Sequence, residues 1–464
     1  MTPFRMRSSS IQELAELAKL GWPIVVTQVA QMTNGVVDVV LTGNFGKVDQ
    51  AGVALGSSLF WPAYLLISGT IMALTPTVSQ LRGGGRISET GAVARQAMWI
   101  ALVGAVLAIA VLFNSRIFFD FVGVDPVAIP VAVSYLQIQC IALLPLFLFS
   151  CFRSLFEGMA MTRPAMYIAI IGLSVKIPLT YLFVFGGFGF EAMGGPGCAV
   201  ATSFVVWVQL ACIVFAALVT KVRNSQVFSR FDWPDFRTCW NLVRLGMPIG
   251  LGIFLETSFF ASVTLLAGKL GVDATSAHQS AMSIASVAFM FPLAFGFSST
   301  IRISAQVGAR KYQGARITVK VIVSCAVWFG LLMALLIYFS RLPLAGLYST
   351  DLSVVQLIAS LLVYGALFQL FDATQATMQG ALRGYKDTTV PALMVLVSFW
   401  GIGLPVGWIS AFGGLGFQGV GVHGLYYGLV LSLIVVAIGL GTRLYYFSRN
   451  FVIDPNFRVA HLKP

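Results

Sequence analysis

Apolar residues fall in long blocks along almost the whole chain, each block broken by a short polar stretch. A helix that crosses a bilayer needs about 20 mainly apolar residues. Twelve stretches meet that length, at approximately 20–44, 51–80, 93–113, 127–150, 163–186, 196–220, 240–267, 276–306, 316–340, 353–380, 390–412 and 420–447. The pattern predicts an all-α integral membrane protein with twelve transmembrane helices.

The polar stretches differ in charge. With both termini inside, the loops assigned to the cytoplasm or its edge hold 24 of the 29 Lys and Arg, among them Arg82, Arg86, Lys221, Arg223, Arg310, Lys311, Arg383 and Lys386. The opposite loops hold Lys47, Arg116, Lys269 and Arg341, and Lys176 lies within a span. Basic loops stay on the cytoplasmic side, so both termini are expected there, in a multi-pass membrane protein.

Composition agrees. Hydrophobic residues make up 58% and charged residues 10% of the 464, where a soluble domain carries about 25% charged residues. The net charge of +12 is spread in small clusters between spans rather than in one basic patch, which sets nucleic acid aside as a partner. Cys140, Cys151, Cys198, Cys212, Cys239 and Cys325 show no metal or disulfide spacing and read as small hydrophobes. Arg5 and Arg7 precede a first apolar segment of about 25 residues, too long for the apolar core of a cleaved signal. No GxxxxGK[ST] motif occurs, so ATP hydrolysis and enzymatic activity are not expected.

The chain repeats itself. Leu20-Gly21-Trp22-Pro23-Ile24 returns as Leu245-Gly246-Met247-Pro248-Ile249, and Gly43 and Gly46 return as Gly268 and Gly271. Phe185-Gly186-Gly187, with Gly189 and Phe190, returns as Phe412-Gly413-Gly414 with Gly416 and Phe417. Gly194, Gly197 and Pro178 return as Gly421, Gly424 and Pro405. The repeat covers an even number of spans, so its two copies share one orientation. This predicts a six-helix N-lobe over 1–220, a cytoplasmic linker over 221–239 and a six-helix C-lobe over 240–464. A substrate site between the lobes, opened to alternate sides by rocking, is the expected consequence.

Three acids fall well inside spans: Asp38, Glu256 and Asp372. A charged residue at the centre of a spanning helix costs roughly 2.5–3.5 kcal/mol, so such residues usually face a cavity and serve function. A carboxyl group out of water can carry a proton near neutral pH, or supply oxygens to a sodium ion. Gln28, Gln31, Asn34, Asp38 and Thr42 share one helix face, and Gln369, Asp372, Gln375 and Gln379 share another. Both faces would equally serve as polar glue between helices. Lys176 is the one base in a span, with Thr180 a turn beyond it. It lies about 7 Å from the depth of Asp38 by residue counting, so the two are candidates for a pair, either a static bridge or one broken by protonation. Phe254, Phe259, Phe260, Met282, Phe289, Met290 and Phe295 crowd the same region. Such residues mostly pack or face lipid, and the functional alternative is a pocket for flat lipophilic cations.

At this point the chain resembles the multidrug and toxic compound extrusion (MATE) transporters, in their NorM-like bacterial branch, over essentially its full length. The resemblance rests on the twelve spans, the LGWPI and RLGMPI repeats, QVAQMTNGVVDVVLTG around Asp38, FLETSFF around Glu256 and LFDATQATMQGALRGYKD around Asp372. It implies a monomeric secondary antiporter that exports small organic cations against inward protons or sodium, with no cofactor. It places the ion-coupling roles on Asp38, Glu256 and Asp372, with sodium as one occupant at Glu256 and Asp372, and adds Gln279 as a cavity residue beside Gln31, Asn34, Thr180 and Gln375. Two positions depart from the family pattern. Lys176 stands where relatives tend to carry Asn, which disfavours sodium near Asp38, and Phe368 stands where a Tyr is often found. Two other classes compete with drug export. A lipid-linked sugar flippase would need a cavity lined with Arg or Lys, and a channel would pass ions without substrate coupling.

Overall fold

The structure is a computed structural model of the chain, described over residues 3–122, 126–187, 189–349, 351–414, 416 and 418–453. The helices are α1 (Pro3–Phe45), α2 (Lys47–Ile71), α3 (Leu74–Gly83), α4 (Thr90–Phe113), α5 (Ser115–Val122), α6 (Ile129–Gly158), α7 (Arg163–Phe185) and α8 (Gly195–Val219). They continue as α9 (Phe236–Lys269), α10 (Val272–Gly308), α11 (Tyr312–Gly346), α12 (Leu352–Gly384), α13 (Thr389–Val395), α14 (Leu404–Phe412) and α15 (Val422–Ile453). A π-helical turn, Leu396–Gly403, joins α13 to α14.

These make twelve segments long and apolar enough to cross a membrane, with α2 and α3 forming one and α13, the π turn and α14 another. The expected spans are all present. The differences lie at the ends: α1 is already helical at Pro3, and α6 runs to Gly158 rather than 150. Polar turns add hydrogen-bonded rise beyond the apolar stretch that a hydropathy window detects.

The chain divides into two compact units, Val26–Gly250 and Met1–Val25 with Leu251–Pro464. Each boundary falls inside a continuous helix, two residues beyond Pro23 in α1 and two beyond Pro248 in α9. In the second unit Glu13 of α1 accepts hydrogen bonds from Arg302 Nε and Nη2 at 2.8 and 2.7 Å, Gln306 Nε2 at 3.1 Å and Thr318 Oγ1 at 3.0 Å. The start of α1 is thereby fixed to α10 and α11.

The internal repeat is visible in the backbone. After α7, Gly186, Gly187, Gly189 and Gly194 have φ of 79°, 142°, 90° and 60°; after α14, Gly413, Gly414, Gly416 and Gly421 have 85°, 152°, 87° and 64°. Side chains with a Cβ rarely adopt these values, which is why glycine recurs at this spacing. The hydrogen bonds match as well: Met193 N to Phe183 O and Gly194 N to Val184 O in one copy, Val420 N to Ser410 O and Gly421 N to Ala411 O in the other. Between helices, Ser79 Oγ donates to the Gly158 carbonyl and Ser304 Oγ to the Gly384 carbonyl, both at 3.0 Å.

The copies differ in one structural respect. The span Arg163–Phe185 has 23 residues and its counterpart Thr389–Phe412 has 24. Pro391, Pro405 and Phe412 keep the same spacing as Pro164, Pro178 and Phe185, so the extra residue lies at the start of the span, and the π turn is a change of winding without an insertion. There Phe399 is fully buried against Phe259, and Trp400 Nε1 donates to the Leu255 carbonyl at 3.0 Å.

Candidate ion-coupling sites

In the unit Val26–Gly250 the polar face of α1 meets α7. Lys176 Nζ donates to Asp38 Oδ2 at 2.8 Å, with the two side chains only 5% and 14% exposed. The ammonium therefore sits where the carboxylate would otherwise hold a mobile cation. Tyr135 of α6 and Cys198 of α8 lie within electrostatic reach of Asp38. Neither stood out in the sequence, because Tyr and Cys are unremarkable inside an apolar run. Asp38 Oδ1, Asn34 Oδ1, Thr180 Oγ1 and Gln139 Oε1 are buried with no hydrogen-bond partner. A buried polar atom left unpaired costs about 1–3 kcal/mol, and Asn34 and Thr180 stand one helical turn from Asp38 and Lys176, so the surroundings of the pair mark a place built for something polar. Gln28 instead accepts from Arg153 Nη2 at 3.2 Å, and Gln31 is exposed. An apolar groove of about 550 Å³ is lined by Leu41, Ile177, Tyr181 and Leu182 among others, and neither Asp38 nor Lys176 lines it.

In the other unit Asp372 of α12 is buried, and Glu256 of α9 is half-buried within electrostatic reach of it. Gln375 and Gln379 neighbour the Glu256 carboxylate one and two turns along α12. Arg383 lies a further turn on, where it acts electrostatically on Glu256 and donates to Gln379 Oε1 at 3.0 Å. The reading of Arg383 as a loop residue is corrected: it occupies the last turn of α12. Lys176 is likewise not the only base in a span. Arg153 pairs with Glu157 at 2.8 Å and Arg302 with Glu13 at 2.7 Å inside the helices, and Glu157 is itself buried.

Both amide atoms of Gln369 and the amide oxygen of Gln375 are buried without partners. Two carboxylates and two free amide oxygens form a hard-oxygen donor set of the kind small cations accept, so these residues fit a sodium ion by chemistry, while Arg383 opposes one by charge. Among the described residues no three His, Cys, Asp or Glu side chains gather into a metal-holding group. Phe368 is buried, edge-on to Phe260 at 6.0 Å, and Phe259 is fully buried, so these rings pack against each other. Gln279 is exposed on α10. Its buried neighbour His278 is bonded through Nδ1 to the Tyr426 hydroxyl at 3.2 Å and through Nε2 to Thr264 Oγ1 at 3.1 Å.

A duplicated scaffold carrying unlike acids in its two copies is a specific arrangement, and comparison with known proteins places it. The MatE family model matches twice, over residues 23–182 and 248–409, once in each copy of the repeat. The chain belongs to the MatE family. The multidrug resistance protein PmpM of Pseudomonas aeruginosa is 38% identical over 442 residues, 95% of this chain and 93% of that protein. The multidrug resistance protein NorM of Vibrio cholerae is 36% identical over 95% of this chain and 96% of that protein. Among solved structures, the eukaryotic MATE transporter AtDTX14 superposes with a TM-score of 0.84 at 19% identity, covering 96% of this chain and all of that one. The V. cholerae MATE transporter VcmN in the bent form gives 0.83 at 18% identity, with 96% and 98% covered. The MatE proteins are transporters, not enzymes, and this one is a multi-pass membrane protein with two six-helix repeats in parallel orientation.

Proposed function

We propose that this MatE protein is a bacterial inner-membrane antiporter that exports lipophilic organic cations in exchange for protons, with both termini in the cytoplasm. The naming of its relatives as multidrug resistance proteins supports the cargo. The observation that carries the coupling is the Asp38–Lys176 pair within the membrane. Lys176 already supplies the positive charge that a sodium ion would bring, so the exchangeable species at Asp38 is the proton. Protonation of Asp38 breaks the pair, whereas an arriving organic cation competes with Lys176 for the carboxylate. In the second unit Arg383 takes the same part beside Glu256, leaving Asp372 and Glu256 to relieve their mutual repulsion by binding one proton. A ligand shifts a conformational equilibrium only through its differential affinity for the two states, and a carboxylate protonated in one state alone provides that difference.

A flippase reading finds no support. Arg153, Arg302 and Lys176 are each tied to an acid, so they do not line a site for a polyanionic headgroup.

The test is ethidium transport in proteoliposomes with a pH gradient or a sodium gradient imposed separately. The pH gradient alone should drive transport. Uptake driven by sodium at equal pH on both sides would overturn proton coupling.

A further inference from the structure

The stretch between α8 and α9 connects the two copies of the repeat, yet it is held like a part of the fold. Gly91 of α4 has no Cβ; one placed there would lie 2.2 Å from the Ser225 carbonyl oxygen, so the stretch packs directly on the helix backbone. Arg95 Nη1 donates to the Gln226 and Val227 carbonyls at 2.6 and 3.1 Å, and Arg95 Nε donates to Asp232 Oδ2 at 2.7 Å. Trp99 Nε1 donates to the Asp232 carbonyl at 3.0 Å. Gln96 both donates to the Trp233 carbonyl at 3.0 Å and accepts from Asp235 N at 2.8 Å. Three side chains within two turns of α4 thus fix the linker backbone.

Its side chains are turned outward. Phe231, Trp233 and Phe236 are 70%, 77% and 80% exposed, and Trp240 is 56% exposed. Phe231 meets Trp233 edge-on at 5.5 Å and also meets Trp99 at 5.9 Å, while Phe236 stacks on Trp240 at 6.3 Å. A backbone anchored this firmly with its largest rings outward is not burying them in its own unit. The depth of α4 says what surrounds them. Its uninterrupted apolar run extends from Ala97 to Phe113, 17 residues, or about 25 Å at 1.5 Å per residue. Arg95 and Gln96 lie just outside that run and Trp99 just inside it. The linker beside them therefore lies at the boundary between hydrocarbon and headgroups, where Trp and other amphipathic rings are enriched.

Charge selects the headgroup. Lys221, Arg223, Arg230 and Arg237 are all exposed on the same stretch. Of its two acids, Asp232 is compensated by both Arg95 and Arg230, at 2.6 and 2.9 Å, and Asp235 is turned to the backbone N–H groups of Arg237 and Thr238. The outward face is cationic among aromatic rings. We infer that the 221–240 stretch is a preformed interfacial site for the phosphate headgroups of anionic phospholipids, with Phe231, Trp233 and Phe236 seated in the bilayer and Arg223, Arg230 and Arg237 at the phosphates.

The full-length protein in nanodiscs tests this. Replacing phosphatidylcholine stepwise by phosphatidylglycerol should raise the unfolding temperature of the native protein. The Arg223→Gln, Arg230→Gln, Arg237→Gln triple variant should lose that response, and Lys269→Gln with Arg341→Gln should keep it. A basic residue near an anionic surface contributes about 1 kcal/mol, close to fivefold in affinity, so the triple variant should need on the order of a hundredfold more anionic lipid. Brominated lipid should quench a fluorescence component that Trp233→Phe removes. The proposal is overturned if phosphatidylglycerol gives no stabilisation over phosphatidylcholine, if the triple variant responds like the native protein, or if Trp233 is not quenched. Equal stabilisation by inorganic phosphate in detergent would show a bare anion site and also overturn it.

Discussion

At Asp38 the proposed choice of the proton over sodium rests on a single lysine. Removing one partner of a buried pair is strongly destabilising if the other stays charged, so a variant without the ammonium must recruit another positive species. Lys176→Asn should make ethidium efflux sensitive to sodium, read as a difference between sodium and potassium buffers at fixed pH, where the native protein shows none. Lys176→Ala should change the pH dependence of initial efflux rates; an unchanged profile would mean that the pair is a static bridge. In the other unit, folded Glu256→Gln and Asp372→Asn variants should each lose roughly tenfold or more in efflux rate, the equivalent of about 1.4 kcal/mol. Normal rates would remove these acids from coupling. The charges were legible in the sequence because a lone Asp or Lys contrasts with an apolar run. Tyr135, Cys198 and Gln139 were not, since their surroundings arise only when α6 and α8 pack beside α1 and α7. Arg383 was misplaced for a related reason: a base at the end of a helix looks the same in sequence as a base in a loop.

Among the helices, the π turn at Leu396–Gly403 is the clearest departure of one copy from the other. It sets Trp400 against the carbonyl that precedes Glu256, so the winding of one span bears on an acid in another. Trp400→Phe removes a hydrogen bond with a typical net value of about 1 kcal/mol. The variant should remain folded by size-exclusion chromatography yet transport more slowly, with the loss confined to rate if Trp400 only positions Glu256. A second element carries a pH signature. Asp351 caps α12, accepting from Ser353 N at 2.9 Å and Ser353 Oγ at 2.7 Å, and these bonds hold its carboxyl below the ordinary aspartate range. Because the folded value is the lower one, the cap stabilises the protein above the unfolded value of about 3.9 and fades as the pH falls through the folded one. The difference in unfolding temperature between the native protein and Asp351→Ala should therefore be present at neutral pH and vanish in strong acid. Helix existence was readable from apolar length alone. The π turn was not, because Pro164, Pro178 and Phe185 are spaced just as Pro391, Pro405 and Phe412 are, so no inserted residue marks it.

For the molecule as a whole, the repeat was legible because glycines with positive φ cannot be replaced cheaply, so the spacing of the turn after α7 survives in the turn after α14. The division into units was not, because it depends on which helix ends pack together rather than on composition. A cut in the 221–239 stretch looks harmless in sequence. Yet the segment up to Val25 belongs with the second unit, and residues 240–250 belong with the first. Fragments 1–225 and 226–464 should thus be recovered together from membranes when co-expressed, and either should be degraded when expressed alone. Each fragment carries the end that its sibling lacks. Neither copy of the repeat is therefore a self-sufficient folding unit, and a gene that carried one of them alone would encode an unfinished protein.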